Sequence, residues 1–227
     1  MHVLAHRANS RGPDPASENS LSAVRGCVAR GWGLEVDIRR SPDGRFYLSH
    51  DPAVISAATA ADPFLPLFRQ CRVAPVAINV KELGYEAELI EFLTTGGVLP
   101  HVFFFDMELI EAEPGVTANT FRALSDSVGL AARVSDRGEP ISRALGIGVA
   151  QIVWLDEFDA LWAGEGDVEA LKRAGKTVYA VSPELHGFAL QDAVTRWHQF
   201  ARWGVDGICT DYAELLSTEL GLTRGQG

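Results

Sequence analysis

Histidines, carboxylates and cations fall in short clusters along this chain. His6-Arg7, Glu35 with Asp37, His50-Asp51, Asn79 with Lys81, Asp106, Arg133 with Ser135, Asp156, Glu184 with His186, and Thr210-Asp211 each close or follow a short apolar run. Residues two apart in a strand share a face, so Glu35 and Asp37 point the same way. Two carboxylates on one face repel unless a cation lies between them. A hard ion such as Mg²⁺ or Ca²⁺ takes oxygen ligands of this kind. The alternative is a rim of salt bridges from Glu35 and Asp37 to Arg39 and Arg40. His6 suits proton transfer near neutral pH or a satisfied place in a core, and Lys81 can meet an anion or lay its stem along apolar surface.

The runs that carry these residues read as strands: 2–6, 33–38, 46–50, 75–81, 102–106, 130–135, 151–155, 177–181 and 207–210. They are short and rich in β-branched or aromatic residues, as buried parallel strands are. Amphipathic stretches at 20–30, 85–94, 168–174 and 190–203 read as helices between them. Repeated β-then-α units predict an α/β protein with a parallel sheet. Nine strand candidates are one more than an eight-stranded barrel needs. The link from Arg39 to Arg45, with Asp43-Gly44 as its turn, is too short for a helix. One candidate is therefore a hairpin arm, an extension or not a strand. The polar clusters recur at carboxyl ends of strands, the rim where parallel barrels build active sites. The expectation is a single-domain TIM-type (β/α)8 barrel over residues 1–222, with 223–227 as a frayed tail. Residues 55–62 read as a loop or short helix over one end of the sheet.

The chain has 227 residues, and 20 Lys and Arg against 30 Asp and Glu leave a formal net charge of −10. That balance argues against nucleic-acid binding, which needs a positive footprint. A small anionic substrate held by local cations and a metal is compatible with it. No segment reaches the ~18 apolar residues of a membrane span, so no stable membrane insertion is expected. The first residues lack a signal-peptide pattern, which sets a cytoplasmic location as the default. Cys27, Cys71 and Cys209 are too scattered for a disulfide framework or a zinc site. Phe64, Phe68, Phe104, Trp154 and Trp162 can line a pocket, but most read as core, as do Trp197, Phe200 and Trp203. His2, His101 and His198 read as structural.

In order and spacing, residues 6–51 resemble the glycerophosphodiester phosphodiesterase family of the phosphatidylinositol-phospholipase-C-like phosphodiesterase superfamily. The resemblance runs through His6-Arg7, Glu18-Asn19-Ser20 (the family's P-E-N-T), Glu35-Val36-Asp37 (its E-x-D), Asp43-Gly44 and His50-Asp51 (its H-D). Further on, Ala77-Ile78-Asn79-Val80-Lys81 is similar to the family's N-I-E-I-K strand, and Asp206-Gly207-Ile208-Cys209-Thr210-Asp211 to its D-G-I-I-T-D ending. Residues 85–200 match only in layout. The family's fold is an eight-stranded α/β barrel. The resemblance implies metal-dependent hydrolysis of a small-molecule glycerophosphodiester, with Mg²⁺, Ca²⁺ or Mn²⁺ as cofactor. It makes His6 and His50 the acid–base pair and Glu35 and Asp37 the metal ligands. It places Arg7 and Lys81 near the phosphate; Arg133, on the sixth candidate strand, is a further candidate contact read from its place at the rim.

The chain departs from the family at two places. Asn79 stands where the family has a third carboxylate ligand, and a neutral amide holds a divalent ion less tightly. Asp106, at the end of the adjacent strand, is the first candidate to compensate and Glu184 the second. Ala8 replaces the glycine of H-R-G, and the longer loop 8–12 is expected to reshape the substrate mouth. Three alternatives remain: a phospholipase C-like lyase that stops at a cyclic phosphate, a catalytically silent barrel that binds a phosphorylated metabolite, and a two-carboxylate glycosidase, which leaves both histidines idle.

Overall fold

A computed structural model describes residues 1–222; the tail 223–227 lies outside the described residues. All nine candidate strands form: β1 (His2–His6), β2 (Gly33–Arg40), β3 (Phe46–Leu48), β4 (Val76–Val80), β5 (Val102–Phe105), β6 (Gly129–Val134), β7 (Ile152–Leu155), β8 (Thr177–Val181) and β9 (Gly207–Thr210). Eight pair in parallel in the order β1-β9-β8-β7-β6-β5-β4-β2, and β1 pairs with β2 to close the barrel. The ninth, β3, runs antiparallel to β2, with Arg40 opposite Phe46 and Ile38 opposite Leu48. It is the hairpin arm that the short Arg39–Arg45 link demanded. Of residues 55–62, Ala60 bridges to Tyr47 and Asp62 opens a 3-10 turn, Asp62–Phe64.

Helices α1 (Leu21–Val28), α2 (Leu65–Phe68), α3 (Glu86–Thr95), α4 (Val116–Leu124), α5 (Ile141–Gly146), α6 (Glu165–Arg173), α7 (Leu190–Trp203) and α8 (Ala213–Glu219) alternate with the barrel strands. Ser20 starts α1 by accepting a hydrogen bond from the Ala23 amide through its hydroxyl. Glu165 and Asp167 in the first turn of α6, and Lys172 and Arg173 in its last, match the helix dipole.

Period-two alternation divides each strand between two cores. Outward side chains such as Val3, Leu34, Val36, Ile78, Phe104 and Val178 pack under the helices with Phe64, Phe68, Phe121, Trp197 and Phe200. Inward ones, Leu4, Ala77, Phe103, Phe105, Ala131, Trp154, Tyr179, Val181 and Cys209, fill the barrel. There Phe103 stacks on Tyr179 at 5.2 Å between ring centres and Phe105 packs on Trp154 at 4.3 Å. On three strands the inward row is apolar low down and polar above: Leu4 then His6, Ala77 then Asn79, Ala131 then Arg133. The aromatic layer thus forms a dry floor beneath the polar rim.

Closure depends on small residues where strands approach. A Cβ on Gly33 would lie 2.3 Å from the Pro75 carbonyl oxygen and 2.4 Å from Leu4 Cδ2. The first of these is backbone and cannot rotate away. Gly33→Ala is expected to destabilise the fold by about 3 kcal/mol, read as a lowered urea midpoint.

Candidate active site

A cavity of about 280 Å³ opens at the carboxyl ends of the barrel strands; His6, Arg7, Glu35, Asp37, His50, Asn79, Lys81, Asp106 and Arg133 line it. Nine of the ten residues singled out in the sequence therefore meet at one opening. Glu184 does not line it: its carboxylate accepts bonds from the hydroxyls of Ser182 and Thr210, and from the Asp211 amide at 3.3 Å. The candidate aromatics divide as well. Trp154 lines the cavity, while Phe64, Phe68 and Phe104 are buried core.

Barrel closure places His6 on β1 in register with Glu35 on β2. The His6 Nδ1 meets Asp211 Oδ1 at 2.7 Å, and Nε2 lies 3.8 Å from Glu35 Oε2. The carboxylate can only accept, so Nδ1 carries the proton and Nε2 faces the cavity side as the basic nitrogen. Burial pulls the imidazole pKa down, but the hydrogen bond to Asp211 and the charges of Glu35 and Asp211 outweigh it, leaving the value raised. Asp211 was not given a role in the sequence; its signal is its place next to Thr210 at the end of β9.

Arg7 and Ala8 both adopt left-handed backbone, φ 48° and 61°. This turn aims the Arg7 amide at Glu35 Oε2, 3.3 Å away. Ala8 does here what a glycine does more cheaply. The loop that follows is fastened away from the cavity. Asn9 donates to Asp211 Oδ1 at 2.8 Å, Gly12 donates to the Asp211 carbonyl, and Arg11 pairs with Glu214 at 2.8 Å. Of residues 7–12 only Arg7 reaches the cavity, so the expected reshaping of the mouth by this loop does not occur.

Glu35 and Asp37 are 3 % and 1 % exposed, which makes their charge the central electrostatic fact of the site. The rim salt bridges to Arg39 and Arg40 do not form: Arg39 pairs with Glu82 at 2.6 Å and Arg40 with Glu88 at 2.6 Å. Asp37 instead has Lys81 Nζ at 3.0 Å from Oδ1 and Arg7 Nε at 3.5 Å from Oδ2. Glu35 is pushed up to about 7 by burial and then by the charge of Asp37, against the opposing pull of His6 and Arg7. Asp37 Oδ2 is buried without a hydrogen-bond partner among the described residues.

Paired carboxylates with an unpartnered buried oxygen are hard donors and suit a divalent cation. Asn79 pairs in register with Asp37 and lines the same cavity, so its amide oxygen is the candidate third donor. No group of three or more His, Cys, Asp or Glu among the described residues is arranged to hold a metal. The set fits a divalent ion through two carboxylates and one neutral oxygen.

Asp106 does not supply a free third carboxylate. It accepts from Asn79 Nδ2 at 3.1 Å through Oδ2 and pairs through Oδ1 with Arg133. Arg133 also pairs with Asp156 and lies 3.3 Å from Glu139 through Nε. Burial raises the Asp106 pKa, and Arg133 opposes that. Arg133 is thus committed to three carboxylates rather than left for a phosphate.

His50 follows β3 on the barrel's outer lip, where its side chain is 44 % exposed. Its carbonyl accepts two bonds from Arg39, at 3.0 and 2.7 Å, and its Nδ1 lies 3.0 Å from Asp51 Oδ1. The Ser49 amide bonds to the Asp37 carbonyl, which fixes the hairpin beside the carboxylate pair.

Solved structures of the same fold include glycerophosphodiester phosphodiesterases. One from Agrobacterium tumefaciens is 18 % identical, with TM-score 0.68 over 96 % of this chain and 99 % of that one. One from Parabacteroides distasonis is 16 % identical, with TM-score 0.72 over 97 % of each chain. A phosphodiesterase from Oleispira antarctica, in complex with the product sn-glycerol-3-phosphate, is 16 % identical, with TM-score 0.64 over 97 % of each chain. No family model matches this chain. No curated protein matches it. At these identities the likeness is one of fold, and the site's chemistry rests on its own geometry.

The raised Glu35 pKa makes stability depend on pH. A carboxyl at its ordinary 4.5 in the unfolded chain and about 7 in the folded one costs nothing below 4.5, and its cost grows between 4.5 and 7 and is full above. In EDTA-treated protein Glu35→Gln is expected to raise Tm relative to wild type at pH 8 and to leave it unchanged at pH 4.5, measured by thermal melts. A second expectation concerns Asn79→Glu. It adds a charged oxygen to the cation set but replaces the donor to Asp106 with a like charge. Titration should show tighter Mg²⁺ or Ca²⁺ binding, with the metal-free protein destabilised by about 1–3 kcal/mol.

Proposed function

We propose that the chain is a metal-dependent phosphodiester hydrolase acting on small glycerophosphodiester-type substrates. The observation that carries this reading is the convergence of His6, His50, Glu35, Asp37, Arg7 and Lys81 on one cavity at the barrel rim. Two histidines suit proton transfer in both directions, and a buried carboxylate pair beside Arg and Lys suits an anion held through a cation. The barrels of similar fold that cleave glycerophosphodiesters support it, including the one with sn-glycerol-3-phosphate bound.

On this reading Glu35, Asp37 and the amide oxygen of Asn79 hold the divalent ion. When bound, that ion offsets negative charge on the phosphate oxygens. Arg7 and Lys81 add fixed positive charge beside it. His6 Nε2 takes the proton from the attacking hydroxyl while Asp211 holds the ring and steadies the imidazolium that forms. His50 gives a proton to the departing oxygen. Its exposed place on the lip suits a leaving group that exits to solvent. Attack by a neighbouring glycerol hydroxyl gives a cyclic ester that water then opens, and attack by water gives the monoester directly; product analysis by phosphorus NMR separates these routes. Among the described residues no helix is long and apolar enough to cross a membrane.

Glycerophosphocholine and bis(p-nitrophenyl) phosphate test the reading. Turnover is expected to stop with EDTA and return with Mg²⁺, Ca²⁺ or Mn²⁺, and His50→Ala is expected to lower kcat about 10²–10⁴-fold with the melting temperature unchanged. Folded wild-type protein that is silent with every ion would instead indicate a phosphate-binding barrel.

A further inference from the structure

The cavity contains a third histidine that this chemistry does not use. His186 closes a 3-10 turn, Pro183–His186, after β8, and its side chain lines the cavity with 19 % exposure. Its Nε2 lies 2.5 Å from Asp156 Oδ1, and its ring packs on Phe158 at 4.2 Å between centres. Phe158 is in turn covered by the guanidinium groups of Arg133, at 4.8 Å, and Arg137, at 4.3 Å. Asp156 is held by Arg133 and by the Glu157 amide at 2.9 Å. The imidazole is therefore held at Nε2 by Asp156 and on its face by Phe158.

Strand order places it. Around the closed barrel β7 lies opposite β2, and β8 lies opposite β4. Asp156 and His186 therefore face the Glu35–Asp37 pair and Lys81 across the opening. A diester whose phosphate sits against β1, β2 and β4 extends one alcohol toward this wall. The Asp156 carboxylate can only accept, so Nε2 carries the proton and Nδ1 of the neutral ring is an acceptor. Nδ1 makes no hydrogen bond among the described residues. The cations of this wall are already committed, Arg133 to Asp106, Asp156 and Glu139, and Arg137 to Asp159 at 2.8 Å. Among the described residues no cation of this wall is free to meet a second anionic group.

We infer that His186, held by Asp156 and clamped by Phe158, is a specificity residue that accepts a hydrogen bond from a hydroxyl of the substrate's alcohol. The cavity thereby selects uncharged, hydroxyl-bearing alcohols over alcohols without a hydroxyl. This rests on the phosphodiesterase reading. A site built to pair a hydroxyl discriminates strongly against an analogue that lacks it, because its own polar group is then left unpaired.

The test compares His186→Phe and His186→Gln with wild type on glycerophosphoglycerol, whose alcohols carry hydroxyls, and on bis(p-nitrophenyl) phosphate, which has none. Phe keeps the packing against Phe158, and Gln keeps an acceptor. His186→Phe is expected to lower kcat/KM for glycerophosphoglycerol about 10- to 100-fold. It should change the value for bis(p-nitrophenyl) phosphate by less than about 3-fold, and His186→Gln should recover part of the loss. If the Phe variant does not fold, the Gln variant alone should still lose selectivity between the two esters. Equal losses on both esters, or none on glycerophosphoglycerol, overturn the inference and leave the phosphodiesterase reading intact. A folded wild type that cleaves neither ester overturns both.

Discussion

Two like charges buried on one strand face set the terms for everything around them. Glu35 and Asp37 share the inner face of β2, and neither can turn to solvent. Such a pair is costly unless opposite charge is brought to it. The barrel brings that charge from its neighbours on both sides. From β1 come His6, through register pairing, and Arg7, through a left-handed turn that aims its amide inward. From β4 comes Lys81, one residue past the strand, at 3.0 Å from Asp37. Burial and the charge of Asp37, opposed by His6 and Arg7, push the Glu35 pKa up to about 7, a state that a divalent ion would resolve.

The opposite half of the rim solves its charge problem differently. Arg133, on β6, is buried among Asp106, Asp156 and Glu139. Asn79 donates into one end of this belt through Asp106, and His186 joins the other end through Asp156. Position 79 therefore belongs to both halves. An amide can offer oxygen toward the carboxylate pair while its NH₂ group serves Asp106, whereas a glutamate there would face Asp106 as a like charge. The neutral amide at position 79 is what lets it donate into the belt.

The strands and their hairpin were legible because buried parallel strands leave short apolar runs and a seven-residue link leaves no room for a helix. The site was legible wherever alternation held: Glu35 with Asp37 and His6 at a strand end all turn inward as spacing requires. It failed after β8. After β8 the chain enters a 3-10 turn, period two is lost, and Glu184 turns to Ser182 and Thr210 while His186 takes the cavity. The partner of His6 was hidden for another reason. Asp211 lies 205 positions away in sequence, and only closure of the barrel joins them.

That closure has a consequence for how the protein is made. β1 precedes the other barrel strands in sequence, yet it lies between β2 and β9, and its pairing with β9 runs from His2–Gly207 to Ala5–Thr210. A nascent chain can pair β1 with β2 early, but one edge of β1 stays open until β9 has emerged from the ribosome. The His6–Asp211 pair is therefore assembled among the last long-range contacts of the barrel, so chains that stop short of β9 lack the oriented His6. Completion of the polar rim and closure of the barrel arrive together.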